Sequence, residues 1–177
     1  IITWTKAKRA YDEGMQAFRQ SKGEEAITKF TEALGHIDRY TDARFARGRT
    51  RYEMRRFAEA LEDFQRVVAE WPDRADAYYE RGRVLWNLKR HEEALKDFDT
   101  AIAKQPRTWH FHESRAILLE TMKRPEQALP DYDMMVALQP LTPSNLRRRG
   151  ELLKKLGRTA EGEEDERQSE QLREAGF

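Results

Sequence analysis

Apolar positions along this chain return with a helical period, and the pattern itself then repeats. Gly14, Gly48, Gly82 and Gly150 are spaced by 34 residues or a multiple of it, and Ala116 fills the one gap. Ala26, Ala60, Ala94, Ala128 and Gly162 lie twelve residues after each of these, and Phe30, Phe64, Phe98 and Tyr132 follow four later. Pro72, Pro106 and Pro140 close three of the units. Such a unit reads as a helix hairpin. A small residue facing another across two helices lets their axes approach, and the aromatic one turn further on fills the space beside the crossing. Proline then ends the second helix, because it has no N–H to donate and forces the preceding residue out of helical geometry. The pattern predicts paired helices at about 5–20 and 23–37, 41–54 and 57–70, 74–88 and 91–104, 108–121 and 125–138, then 142–156 and a weaker helix from 159. Pro125 suits the first turn of its helix, whereas Pro130 is expected to remove a backbone bond and bend it.

The residues that keep this beat also carry a resemblance. With its 34-residue helix-turn-helix period, the chain resembles the tetratricopeptide repeat family over roughly residues 7 to 177. The run YYERGRVLWNLKRHEEALKDFDTAIAKQP is close to that family's pattern. The resemblance implies an all-α fold, a right-handed α-solenoid of tandem helix-turn-helix repeats with a C-terminal capping helix. It also implies a single array over 1–177, with repeats at about 7–40, 41–74, 75–108 and 109–142 and a divergent fifth repeat with a polar cap at 143–177. Departures gather at the ends: Asp38 stands where the first unit should have proline, and Glu166 where the fifth should have its aromatic.

A second periodic signal is one of charge. Arg47, Arg81, Arg115 and Arg149 each precede the small residue of their unit, and Asp63, Asp97, Asp131 and Asp165 each follow sixteen residues later. In the first unit both signs reverse, to Glu13 and Lys29. The joint swap points to a salt bridge inside each hairpin, since pairing between neighbouring units would oppose like charges. As exposed pairs these would each contribute about 0–1 kcal/mol and set register more than stability.

A different face of each first helix is the candidate for binding. Residues three before, one after and four after the small residue share one helical face, and the resemblance places that face in the concave groove where ligands of the family lie. It assigns Tyr11, Met15 and Phe18 to the groove in the first unit, Phe45, Arg49 and Tyr52 in the second, and Tyr79, Arg83 and Trp86 in the third. The fourth and fifth units change character, to Glu113, Ile117 and Glu120, then Arg147, Glu151 and Lys154. Two readings of this aromatic ladder compete: packing against the adjacent hairpin, or a groove for an extended peptide or a helix. Aromatics and arginine are the residues that most often carry interface energy, and Arg49 and Arg83 lean the expected partner towards one carrying carboxylates. The Lys, Asn and Arg clamp that related domains use on acidic chaperone tails is absent, the matching positions being Tyr11, Met15, Ala46, Asp76 and Glu80.

Composition limits the alternatives. With 33 Lys and Arg against 32 Asp and Glu the net charge is +1, which argues against a dedicated nucleic-acid binder. No apolar run approaches the ~18 residues of a membrane span. The absence of cysteine excludes disulfides and thiolate chemistry but assigns no compartment. The basic run Arg147, Arg148, Arg149, Lys154, Lys155 and Arg158 is followed by Glu161, Glu163, Glu164, Asp165 and Glu166, so mutual neutralisation between the last two helices is expected. His110 and His112, two apart on a helix, make a poor metal pair, no Gly-rich phosphate loop is visible, and no catalytic constellation stands out. No metal and no cofactor is called for. These observations point to a non-catalytic protein-interaction scaffold that takes a protein or peptide partner in its groove. The alternatives are a self-association module, a homo-oligomer burying Ile1, Ile2 and Trp4, or a regulatory segment of a longer protein, as a start at Ile1 rather than Met suggests.

Overall fold

The structure, a computed structural model, describes residues 2–177, so that Ile1 and the expectation placed on it lie outside the described residues. The described residues form ten helices, α1 (Ile2–Arg19), α2 (Gly23–His36), α3 (Thr41–Glu53), α4 (Phe57–Glu70), α5 (Ala75–Asn87), α6 (His91–Lys104), α7 (Trp109–Thr121), α8 (Pro125–Leu138), α9 (Pro143–Lys155) and α10 (Thr159–Glu174). The expected boundaries hold to within a few residues, and the helix expected to be weak, α10, runs for 16 residues. α8 continues through Pro130. The chain divides into two compact units, Ile1–Lys104 and Gln105–Phe177. In the first, α1 with α2, α3 with α4 and α5 with α6 form hairpins, and α2 packs on α3 and α4 on α5. In the second, α7 with α8 and α9 with α10 form hairpins, joined by α8 on α9.

The small residues sit where the two helices of a hairpin cross. A Cβ added to Gly14, Gly48 or Gly82 would lie 2.7, 3.1 or 2.8 Å from the ring of Phe30, Phe64 or Phe98 respectively. These three rings are completely buried, as are Ala26, Ala60 and Ala94. In the last hairpin the approach is closer still, because an added Cβ on Gly162 would stand 2.6 Å from the Gly150 carbonyl oxygen. Backbone faces backbone there, and no side chain can yield.

The turn inside each hairpin is equally periodic. Ser21, Arg55, Lys89, Lys123 and Gly157 all have positive φ, at 34-residue spacing. At each, the next residue donates its N–H to a carbonyl five back, Lys22 to Ala17 and Arg56 to Arg51 for example, at 3.0 and 2.8 Å. This six-residue closure ends the first helix and starts the second within a few residues. Only the last of the five left-handed positions is glycine, so composition gave no sign of a turn that geometry repeats five times.

The charge series forms within each hairpin, as the sign reversal required. Arg47–Asp63, Arg81–Asp97, Arg115–Asp131, Arg149–Asp165 and the inverted Lys29–Glu13 all close at 2.7 Å. The four aspartates are buried, at 2 %, 4 %, 0 % and 4 % exposure, so these pairs differ from the exposed ones expected. Arg47 and Arg51 both bind Asp63, and removing a carboxylate so placed costs about 3–5 kcal/mol rather than a surface pair's fraction. The basic run near the C-terminus is met by Asp165, Glu166 and Glu161, as expected, and also by Glu113 and Glu120 of α7, which pair with Arg148 and Lys155.

One buried polar position escaped the sequence reading. Arg44 and His112 occupy equivalent places two repeats apart, and each donates to the backbone carbonyl of the residue that closes the preceding repeat. Arg44 reaches the Asp38 carbonyl at 2.6 Å and Glu70 at 2.6 Å, in the unit that lacks the closing proline. His112 Nε2 lies 2.8 Å from the Pro106 carbonyl and Nδ1 2.7 Å from Asp131 Oδ1. Both neighbours are acceptors, so both ring nitrogens are satisfied only when each carries a proton. The Asp131 carboxylate and, less strongly, the Pro106 carbonyl raise the His112 pKa above its ordinary 6.5, against burial and the Arg115 charge.

Gly162→Ala, which gives the last hairpin the residue its siblings carry, should lose about 1 kcal/mol or more of stability because backbone must move. Gly35→Ala, where an added Cβ meets nothing within 4 Å, should gain about 0.5–1 kcal/mol; urea unfolding of the two variants checks both. Because the His112 pKa is raised on folding, its contribution is fully present below 6.5 and lost as pH rises through the folded value. Thermal midpoints should therefore fall for the parent between about pH 6 and about pH 8 by more than they do for His112→Gln, and parallel profiles would refute the doubly donating ring.

Candidate binding groove

The first helices of the first unit, α1, α3 and α5, carry every residue assigned to the groove. Spacing by three and four puts them on one helical face, and the small-residue crossing on the opposite side fixes how far each helix stands from its partner. Tyr11, Phe18, Phe45 and Arg49 come together, with Met15, Asp42, Ala46, Arg74 and Asp76, around a cleft of about 290 Å³. Tyr52, Tyr79, Arg83 and Trp86 lie outside this cleft, with the Arg83 guanidinium near the rings of both Tyr52 and Tyr79.

The aromatics are half-buried and rest on rings of their own hairpins, and Tyr11 and Phe45 also pack against clusters that include Ala43 and Ala77 of the next hairpin. Tyr11 packs on Phe30 at 5.9 Å, Phe45 on Phe64 at 5.6 Å, Tyr52 on Phe57 at 5.5 Å, Tyr79 on Phe98 at 5.7 Å, and Trp86 edge-on to Phe98 at 6.4 Å between ring centres. Guanidinium groups cover their outer faces: Arg74 lies 4.1 Å above Phe45, Arg83 4.3 Å above Tyr52, and Arg49 5.7 Å from the centre of Phe18. In the first repeat Tyr40 takes that place, 5.2 Å from Tyr11 and 5.4 Å from Trp4. Burial pushes the Tyr40 hydroxyl up to about 12 and raises Tyr11 as well.

Arginine in the groove does not stand alone. Arg83 donates to Glu80 at 2.9 Å, Arg49 lies 3.8 Å from the same carboxylate, and Asn87 donates to the Tyr52 hydroxyl at 3.1 Å. Glu80 is buried, and burial raises its pKa despite the two guanidiniums beside it. Arg74 binds Asp42 at 2.9 Å and Asp76 at 2.8 Å. Sequence reasoning passed over Arg74 and Asp42; the signal was there, since position 74 is Arg where its periodic equivalents are Tyr40, Thr108 and Thr142. Among the described residues no group of three or more His, Cys, Asp or Glu converges as a metal site requires, and no helix is long and apolar enough to cross a membrane.

The fold and its periodic hairpins define an all-helical repeat protein. The family model for the tetratricopeptide repeat matches residues 45–107 and 90–145, and the chain belongs to that family. Comparison with curated proteins gives no match. Among solved structures, MamA from Desulfovibrio magneticus RS-1 is similar with a TM-score of 0.87 at 18 % identity, over 97 % of this chain and 97 % of that one. YrrB, a TPR protein with an unusual peptide-binding site, gives 0.76 at 15 % identity over 92 % and 84 %. TTC0263, a thermophilic TPR protein from Thermus thermophilus, gives 0.68 at 22 % identity over 90 % and 87 %. At these identities the likeness is one of fold. Membership of the family makes the chain a protein-interaction scaffold in the general sense.

Proposed function

We propose that the chain is a non-catalytic scaffold that holds a peptide segment of a protein partner in the cleft between α1 and α3, continuing along α5. The observation that carries this reading is the meeting of Tyr11, Met15, Phe18 and Phe45 with the half-exposed Arg49 around one cleft. Rings held by buried aromatics from beneath lose little freedom when a ligand covers them, so contact area converts to affinity with a small entropic cost. A helical scaffold of this kind is formed before the partner arrives.

Exposed Ile2 and Trp4 favour a second reading, self-association through the N-terminal end. Sedimentation of the parent beside Trp4→Ser separates the two. A dimer that weakens in Trp4→Ser supports the second reading, and a monomer at high concentration removes it.

The test of the groove is selection of a random peptide library on the full chain, followed by affinities for Arg49→Glu and Met15→Gln, each shown to be folded by circular dichroism. Selected peptides should lose roughly tenfold or more in both variants. Peptides that bind both as well as the parent would place the site elsewhere.

A further inference from the structure

The charges in this cleft and beside it are arranged as two opposite triplets. In one, Arg74 lies between Asp42 and Asp76, at 2.9 and 2.8 Å. In the other, Glu80 lies between Arg83 and Arg49, at 2.9 and 3.8 Å. Each triplet leaves one charge unmatched, negative in the first and positive in the second. Exposure decides where that excess is felt. The central Arg74 and Glu80 side chains are 21 % and 10 % exposed, whereas Asp42 and Asp76 are each 47 % and Arg49 and Arg83 46 % and 33 %. Inner members are covered and outer members are more exposed, and of the outer ones Asp42, Asp76 and Arg49 line the cleft itself, so the groove carries a dipole along its length. Asp42 and Asp76 also stand in the first turns of α3 and α5, where the helix dipole favours negative charge.

The spacing of the two ends is set by the helices. Asp42 to Arg49 on α3, and Asp76 to Arg83 on α5, are each seven residues apart, which is about 10 Å along an α-helix. Between them lie Phe45 and Ala46, with Met15 and Phe18 across the cleft. An extended chain of the polyproline type rises about 3.1 Å per residue and returns to the same face every third residue, so its residues i and i+3 are about 9 Å apart on one side. Aromatic-lined grooves suit that conformation, which loses little entropy on docking.

We propose, building on the groove reading above, that the occupant is an extended, polyproline-like peptide segment with a basic residue and an acidic residue three apart and an apolar residue between them. The basic side chain meets the exposed sides of Asp42 and Asp76, flanking Arg74, the acidic one meets Arg49, which shares Glu80 with Arg83, and the apolar residue covers Met15 and the open edge of Phe45. This departs from the simple acidic ligand suggested by Arg49 and Arg83 alone, because each of those arginines already faces Glu80. Chain direction is left free, since a polyproline segment can lie either way and the groove fixes only which charge goes to which end.

The probe is a fluorescent, end-blocked octapeptide with lysine, proline, leucine and glutamate as its central four residues, titrated against the full chain by anisotropy. Replacing its glutamate by lysine, or its lysine by glutamate, should each weaken binding roughly tenfold. In Arg49→Glu the order should invert, the peptide with two lysines binding better than the parent peptide. Neutral or doubly acidic peptides that bind the parent chain equally well, with binding still lost in Met15→Gln, would overturn the charge assignment and leave the groove reading standing. Failure of the dipolar peptide to bind the parent chain would also overturn the assignment, with the groove itself still judged by the library selection.

Discussion

Everything in this protein depends on how closely two helices approach at one crossing per hairpin. Where Gly14, Gly48 and Gly82 meet Phe30, Phe64 and Phe98, an added methyl would sit within 3.1 Å of a buried ring. That distance fixes the separation of first and second helices, and with it the direction in which the outer face of each first helix points. Close packing without voids makes such a crossing a rigid reference, since neither a ring at zero exposure nor the backbone beside it can shift cheaply.

Charge refines what packing begins. The Arg–Asp pairs bridge the same two helices one position away from the crossing, and their aspartates are buried. A buried pair contributes little over an apolar one of equal volume, but losing one partner leaves a charge without water, so sliding or rotating the hairpin is penalised. Register is thereby protected where a purely apolar seam of small residues would tolerate a shift. Arg44 extends the same device to the joint between the first two hairpins through the Asp38 carbonyl, and His112 ties α7 to the Pro106 carbonyl just ahead of it.

With the hairpins held in this way, the groove follows from leftover geometry. Rings of α1 and α3 rest on buried aromatics from their own hairpins, and Arg74 and Arg83 close over Phe45 and Tyr52. One face of each ring belongs to the core, and the open edges of Tyr11, Phe18 and Phe45 line the cleft.

The sequence by itself determined the helices, their pairing and the salt bridges inside each hairpin, because those are contacts at short and constant separation along the chain. A 34-residue period and the Glu13–Lys29 sign reversal were sufficient. It also named the face on which Tyr11, Phe45 and Tyr79 lie, since helical spacing sets direction around an axis. Only the tertiary structure decided that the aspartates are buried, that five left-handed turns recur with a single glycine among them, and that Arg74 and Glu80 each stand between two opposite charges. Those outcomes depend on which repeat's side chains reach across to the next, and long flexible arginines leave that choice open until the backbones are in place.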